Sequence, residues 1–184
     1  MPSQQRLRDV IVPRPRILFV GINPSLRSGA VGHHFAGPGN PFWRLLQAAQ
    51  LIPVPLTFAE DQRLAEFGMA LTNLCPRPTR AASHLRPDEM ERGKKVLARK
   101  IRRLQPSVVT FVGVSLYQQY FQLPRSGGPG PKRETIDGAS VFVVPNPSGL
   151  NASFPGFQDK LVWFERLRQF AFELPVLSGN SSRS

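Results

Sequence analysis

Four short apolar runs recur along the chain: Ile17 to Val20, Phe67 to Leu71, Val108 to Val112 and Val141 to Val144. Each is bounded by glycine, proline or a polar turn. Unbroken apolar runs of this length suit strands buried on both faces. Helical spacing fills the intervals. Roughly Pro41 to Gln50 forms one such segment. Pro87 to Leu104 forms another, with Met90, Leu97, Ile101 and Leu104 on one side. Phe157 to Glu173 forms a third, with Phe157, Leu161, Phe164, Leu167 and Ala171 as its inward stripe and Pro175 as its stop. Strands that alternate with helices predict the α/β class with a parallel sheet.

Two stretches break this rhythm. Asn23 to Asn40 and Leu123 to Gly138 read as long loops, the second containing a GGPGP connector from Gly127 to Pro131. Residues 12 to 174 are expected to form a single domain. The polar segments 1–11 and 175–184 have little to bury and are expected to be mobile tails.

Charge narrows the partners. The 24 lysines and arginines exceed the 12 acidic residues, leaving +12. Such an excess suits a polyanion, with nucleic acid first among the candidates, although an acidic membrane surface or simple solubility produces the same balance. Cys75 is the only cysteine, which excludes an internal disulfide and any cysteine-rich metal centre. No stretch reaches the ~20 apolar residues of a membrane span, and the N-terminal sequence lacks the apolar core of a signal peptide. A soluble, cytoplasmic protein without metal or cofactor is expected, nucleoid-associated if bacterial.

Chemistry concentrates in two short motifs. GINPS, Gly21 to Ser25, follows the first predicted strand, where open α/β sheets bind ligands. NPSGL, Asn146 to Leu150, follows the last. Taken singly, each also reads as an ordinary proline-containing turn. Neither phosphate-loop nor dinucleotide-binding glycine patterns are present, which argues against nucleotide hydrolysis and dinucleotide chemistry. The ordered set VGINPSLRSGAVGHHFAGPGNPFW, LTNLCPRPTR and VVPNPSGL resembles the mismatch-specific uracil-DNA glycosylases, relatives of thymine-DNA glycosylase, across about Ile17 to Phe172.

That resemblance implies a three-layer α/β/α sandwich around a short, mainly parallel sheet. It also implies a monofunctional DNA glycosylase that flips uracil, or a thymine-like base, from mismatched duplex DNA and hydrolyses its N-glycosidic bond. Asn23 would position the water, Phe35 would stack on the base, and Gly21, Ile22 and Asn40 would complete the pocket. Asn146, Pro147, Ser148, Gly149, Leu150 and Asn151 would form the wedge that enters the duplex and meets the opposite base. Double-stranded DNA with a mismatched or damaged base is then the partner, and the protein is expected to act as a monomer.

Several positions qualify this picture. The family loop commonly carries glycine where this chain has Ser25. Ala152 stands where some relatives place an arginine able to meet the widowed guanine, so relaxed opposite-base reading is expected. An amide is a poor proton acceptor, which makes Asp88 the first candidate for a general base, although acidic residues there also complement a helix N-terminus. His33 and His34 read as surface residues. Arg27, Arg77 and Arg80 are candidate phosphate contacts, and Arg92, Lys94, Lys95, Arg99, Lys100, Arg102 and Arg103 make the helix after Pro87 strongly basic. A non-catalytic nucleic-acid-binding module and an α/β enzyme acting on a free nucleotide are the competing readings.

Overall fold

A computed structural model describes residues 7–173. Five strands form one sheet: β1 (Ile17–Gly21), β2 (Met69–Asn73), β3 (Val108–Val112), β4 (Gly130–Ile136) and β5 (Ala139–Val144). Their order is β2-β1-β3-β5-β4. The first four strands in that order run parallel, and β4 closes the edge antiparallel to β5.

Alternation along each strand divides the core in two. Ile17 and Phe19 of β1 face α2 (Phe42–Ala48), the 3-10 helical stretch Phe58–Phe67 and α5 (Phe157–Phe172). Leu18 and Val20 face the opposite layer, formed by α3 (Pro87–Leu104) and α4 (Val114–Phe121). Helices on both faces explain why the central strands read as uninterrupted apolar runs. The expected three-layer sandwich is present. Thr110, in the middle of β3, is the exception inside it: its buried hydroxyl oxygen has no hydrogen-bond partner among the described residues.

The second predicted loop is corrected by β4. Its burial alternates, as expected of an edge strand with one wet face, and its glycine and proline content hid that pattern. The first predicted loop contains a short helix, α1 (Leu26–Val31). The second apolar run also shifts. Phe67 ends the 3-10 stretch, Gly68 turns with φ of +73°, and the strand proper begins at Met69.

The expected N-terminal boundary falls inside a packed segment. Val10 is fully buried and pairs with Leu71, while Asp9 Oδ2 lies 2.6 Å from Lys100 Nζ. Residues 7–11 thus strap across the β2 side of the sheet. Residues 1–6 and 174–184, with Pro175 and most of the two predicted tails, lie outside the described residues.

Candidate active site

A cleft of about 440 Å³ opens at the carboxyl ends of the parallel strands. The loop after β1 supplies Gly21, Ile22 and Asn23. The segment before α2 supplies Phe35 and Asn40, and the loop after β5 supplies Asn146, Ser148, Gly149 and Leu150. Parallel strands deliver all their carboxyl ends to one rim, so segments far apart in sequence meet there.

Asn23 is fixed by two groups from the loop after β2. Its Nδ2 donates to Thr79 Oγ1 at 2.7 Å and to the Arg77 carbonyl at 3.0 Å. Thr79 spends its only hydroxyl proton on the Ala81 carbonyl, at 2.8 Å, so it must accept from Asn23. Both partners are therefore acceptors. The amide nitrogen is turned into the protein, and Oδ1 has no protein partner among the described residues.

Gly21 is required by its neighbour across the sheet. It stands in register with Asn73 at the end of β2, and a Cβ on Gly21 would lie 2.6 Å from Asn73 Oδ1. Asn73 in turn places its Nδ2 3.5 Å from His34 Nδ1. His34 Nε2 faces the Arg8 carbonyl at 2.8 Å and must carry the proton, because a carbonyl only accepts. The neutral ring then presents its Nδ1 lone pair to Asn73. Burial holds the His34 pKa below the ordinary histidine value of 6.5, partly opposed by the bond to Arg8. His34, expected at the surface, is 2% exposed.

Phe35 is both packed against the core and part of the cleft. Its ring stacks on Phe42 with centroids 3.9 Å apart, and the residue also lines the cleft. Ser25 caps α1: its Oγ accepts from Ser28 N–H at 3.1 Å. A serine there has a local structural use that glycine lacks.

The loop after β5 is rigid by its own hydrogen bonds. Asn146 Oδ1 accepts from Ser148 N–H at 2.9 Å, and Asn151 Nδ2 donates to the Asn146 carbonyl at 3.0 Å. Asn151 Oδ1 accepts from the N–H groups of Ser153 and Phe154. On top of this frame Leu150 is 95% exposed.

These contacts revise several expectations. The Asn151 side chain is committed to its own loop, so opposite-base reading by its amide is not supported. Asn40 Oδ1 accepts from Phe42 N–H at 3.0 Å, leaving its nitrogen and one oxygen lone pair for a ligand. Arg77 forms a paired contact with Glu89, at 2.6 and 2.9 Å, and is not a free phosphate contact; that pairing holds Glu89 down to about 2. Arg80 does line the cleft, whereas Arg27 is exposed on α1 outside it.

Asp88 does not line the cleft. It lies on the exposed start of α3, paired with Arg86 and Arg92, each at 3.2 Å, and the Arg86 contact lowers its pKa. Among the described residues, no aspartate or glutamate lines the cleft. Cys75 is buried, with its thiol pushed up to about 11 by desolvation, which makes it unreactive.

Sequence reasoning gave no role to Asn73, Thr79 or Asp61. A polar residue ending a parallel strand is the signal that would have singled out Asn73. Thr79 and Asp61 reach the site through folding of distant segments, and nothing local marks them.

The cleft at the strand ends of this α/β protein thus holds an oriented amide, with a loop bearing an exposed leucine at its mouth. The sequence model of the Uracil DNA glycosylase superfamily matches residues 9–168, and the chain belongs to that superfamily. It is similar to the G/U mismatch-specific uracil DNA glycosylase of Schizosaccharomyces pombe, 32% identical over 168 residues. The aligned region is 86% of this chain and 52% of that relative, so the chain spans about half the relative's length. The fold also matches the solution NMR structure of a proposed uracil DNA glycosylase from Methanosarcina acetivorans. The TM-score is 0.62 at 20% identity, covering 90% of this chain and 98% of that one.

Proposed function

We propose that the protein is a monofunctional DNA glycosylase that removes uracil flipped out of mismatched duplex DNA and leaves an abasic site. The observation that carries this reading is the orientation of Asn23. Both of its amide protons are directed at protein acceptors, so Oδ1 is the group offered to the cleft. An amide oxygen so placed accepts a hydrogen bond from a water molecule and thereby turns that water's lone pair toward the anomeric carbon.

In the reaction the N-glycosidic bond breaks and its electron pair leaves with the base. Water oxygen bonds to the electron-poor sugar carbon, and the water proton passes to solvent or to the departing base. Among the described residues no carboxylate lines the cleft, so no carboxylate general base assists. Modest turnover follows from that chemistry. Phe35 supplies a flat apolar face for the base, and the hydrogen-bonding groups around it belong to Asn73 and the Gly21 to Ser25 backbone.

Leu150 fills the gap left by the extruded nucleotide, and Arg80 with the exposed Arg27 is placed to meet phosphate. The wedge carries Ala152, which offers no side-chain hydrogen bond, and Asn151 is occupied, so opposite-base discrimination is weak. We propose that the protein acts as a monomer.

The test uses labelled duplexes containing uracil opposite guanine, uracil opposite adenine, and single-stranded uracil, each followed by alkaline cleavage. Strand scission at uracil in all three supports the proposal. Absence of scission with retained DNA binding points to a non-catalytic module, and strict guanine dependence refutes the relaxed reading.

A further inference from the structure

Phe35 has an unusual backbone. Its φ is +52°, in the left-handed region that residues with side chains seldom occupy. The residues on either side are fastened by side chains from other segments. Asp61 Oδ2 accepts from His34 N–H at 2.9 Å, and Asp61 Oδ1 accepts from His33 Nδ1 at 3.1 Å. On the far side, Ser28 Oγ accepts from Ala36 N–H at 3.0 Å. The His34 carbonyl accepts from Trp43 Nε1 at 3.0 Å.

Asp61 is 1% exposed and belongs to the 3-10 stretch Phe58–Phe67. Burying a carboxyl group is unfavourable unless its oxygens are hydrogen-bonded. Both of its bonds here go to the residues immediately before Phe35. Neither the water-orienting amide nor the wedge contacts Asp61, and both of its bonds fall on the segment that carries Phe35 into the cleft.

We propose that Asp61 is a positioning residue, holding Phe35 in its left-handed conformation so that the ring is already set as a platform when the base arrives. The inference rests on the reading of the cleft as a base pocket. Asp61 does not line the cleft and acts through the backbone that carries Phe35. Without it the backbone at residues 33–36 relaxes toward ordinary φ values, and the ring turns from the cleft.

The test compares affinities for two guanine-mismatched duplexes, one with uncleavable 2′-fluorodeoxyuridine and one with a tetrahydrofuran abasic analogue. Their ratio reports engagement of the base and is independent of the wedge. Asp61→Ala is expected to lower the ratio roughly 10-fold, within the range that base stacking on an aromatic supports, while affinity for the abasic duplex stays unchanged. Asp61→Asn, which keeps an oxygen for His34 N–H, restores most of the ratio. Asp61→Ala combined with Phe35→Ala lowers it no further than Phe35→Ala alone.

If Asp61→Ala does not fold, Asp61→Ser, one atom shorter but still polar, takes its place with the same expectation. A wild-type ratio in Asp61→Ala or Asp61→Ser, or losses that multiply in the double variant, overturns the proposal. Failure of the wild type to excise uracil defeats the glycosylase reading instead. A wild-type ratio of one overturns both.

Discussion

Leu150→Ala separates the work of the wedge from the stability of the fold. The side chain is 95% exposed, so truncating it removes almost no packing from the free protein. The change in folding stability should stay within about 0.5 kcal/mol. In the duplex complex the same side chain enters the base stack and becomes buried. Truncation to alanine deletes three carbons, at about 0.8 kcal/mol each for full burial, or about 2 kcal/mol with the edge of the stack left wet. At 1.4 kcal/mol per tenfold, excision from duplex DNA falls roughly 30-fold. Single-stranded uracil has no stack to hold open, and its excision should change less than about twofold. Single-turnover cleavage of the two substrates, with thermal melting as the control, measures all three quantities. Equal loss on both substrates, or no loss on duplex, would refute the wedge argument.

Thr79→Val removes the 2.7 Å anchor of Asn23. Loss of one such bond, about 1 kcal/mol, lowers single-turnover excision several-fold, and because the bond to the Ala81 carbonyl goes too, the melting temperature falls by about 2–4 °C or more. Asp88→Ala leaves cleavage unchanged, because the residue sits in exposed ion pairs away from the cleft. His34 makes stability depend on pH: its folded pKa is lowered, so below pH 6.5 the unfolded chain takes up a proton that the folded one resists. The stability present above pH 6.5 is lost as the pH falls toward the folded value, and His34→Gln flattens that part of a melting-temperature profile. Thr110→Val replaces an unpartnered buried hydroxyl with a methyl group, and should raise stability by about 1 kcal/mol, or about 2–4 °C in melting temperature.

Much of the architecture was legible because burial on both faces leaves a simple signature. ILFV and VVTFV have no polar residue to face water except Thr110, so their place in a covered parallel sheet followed from composition. The edge strand β4 escaped for the opposite reason: its glycine, prolines and charges are what an exposed edge tolerates and what a loop also contains. The strap through Val10 was missed because one buried valine among polar residues carries no period.

The sequence by itself determined the two motif loops, their order after the first and last strands of the core, and the exposed leucine between Gly149 and Asn151. Those features depend on short-range chain geometry and on residue type. Only the tertiary structure decided which polar groups are free to act. Asn23 presents its oxygen because Thr79 and the Arg77 carbonyl, more than fifty residues away, accept from its nitrogen. Arg77 is taken up by Glu89, twelve residues away, Asn151 is occupied within its own loop, and Asp88 lies in surface ion pairs outside the cleft. A side chain's chemistry is written in its type, but its availability depends on which donors and acceptors the fold brings within about 3 Å of it.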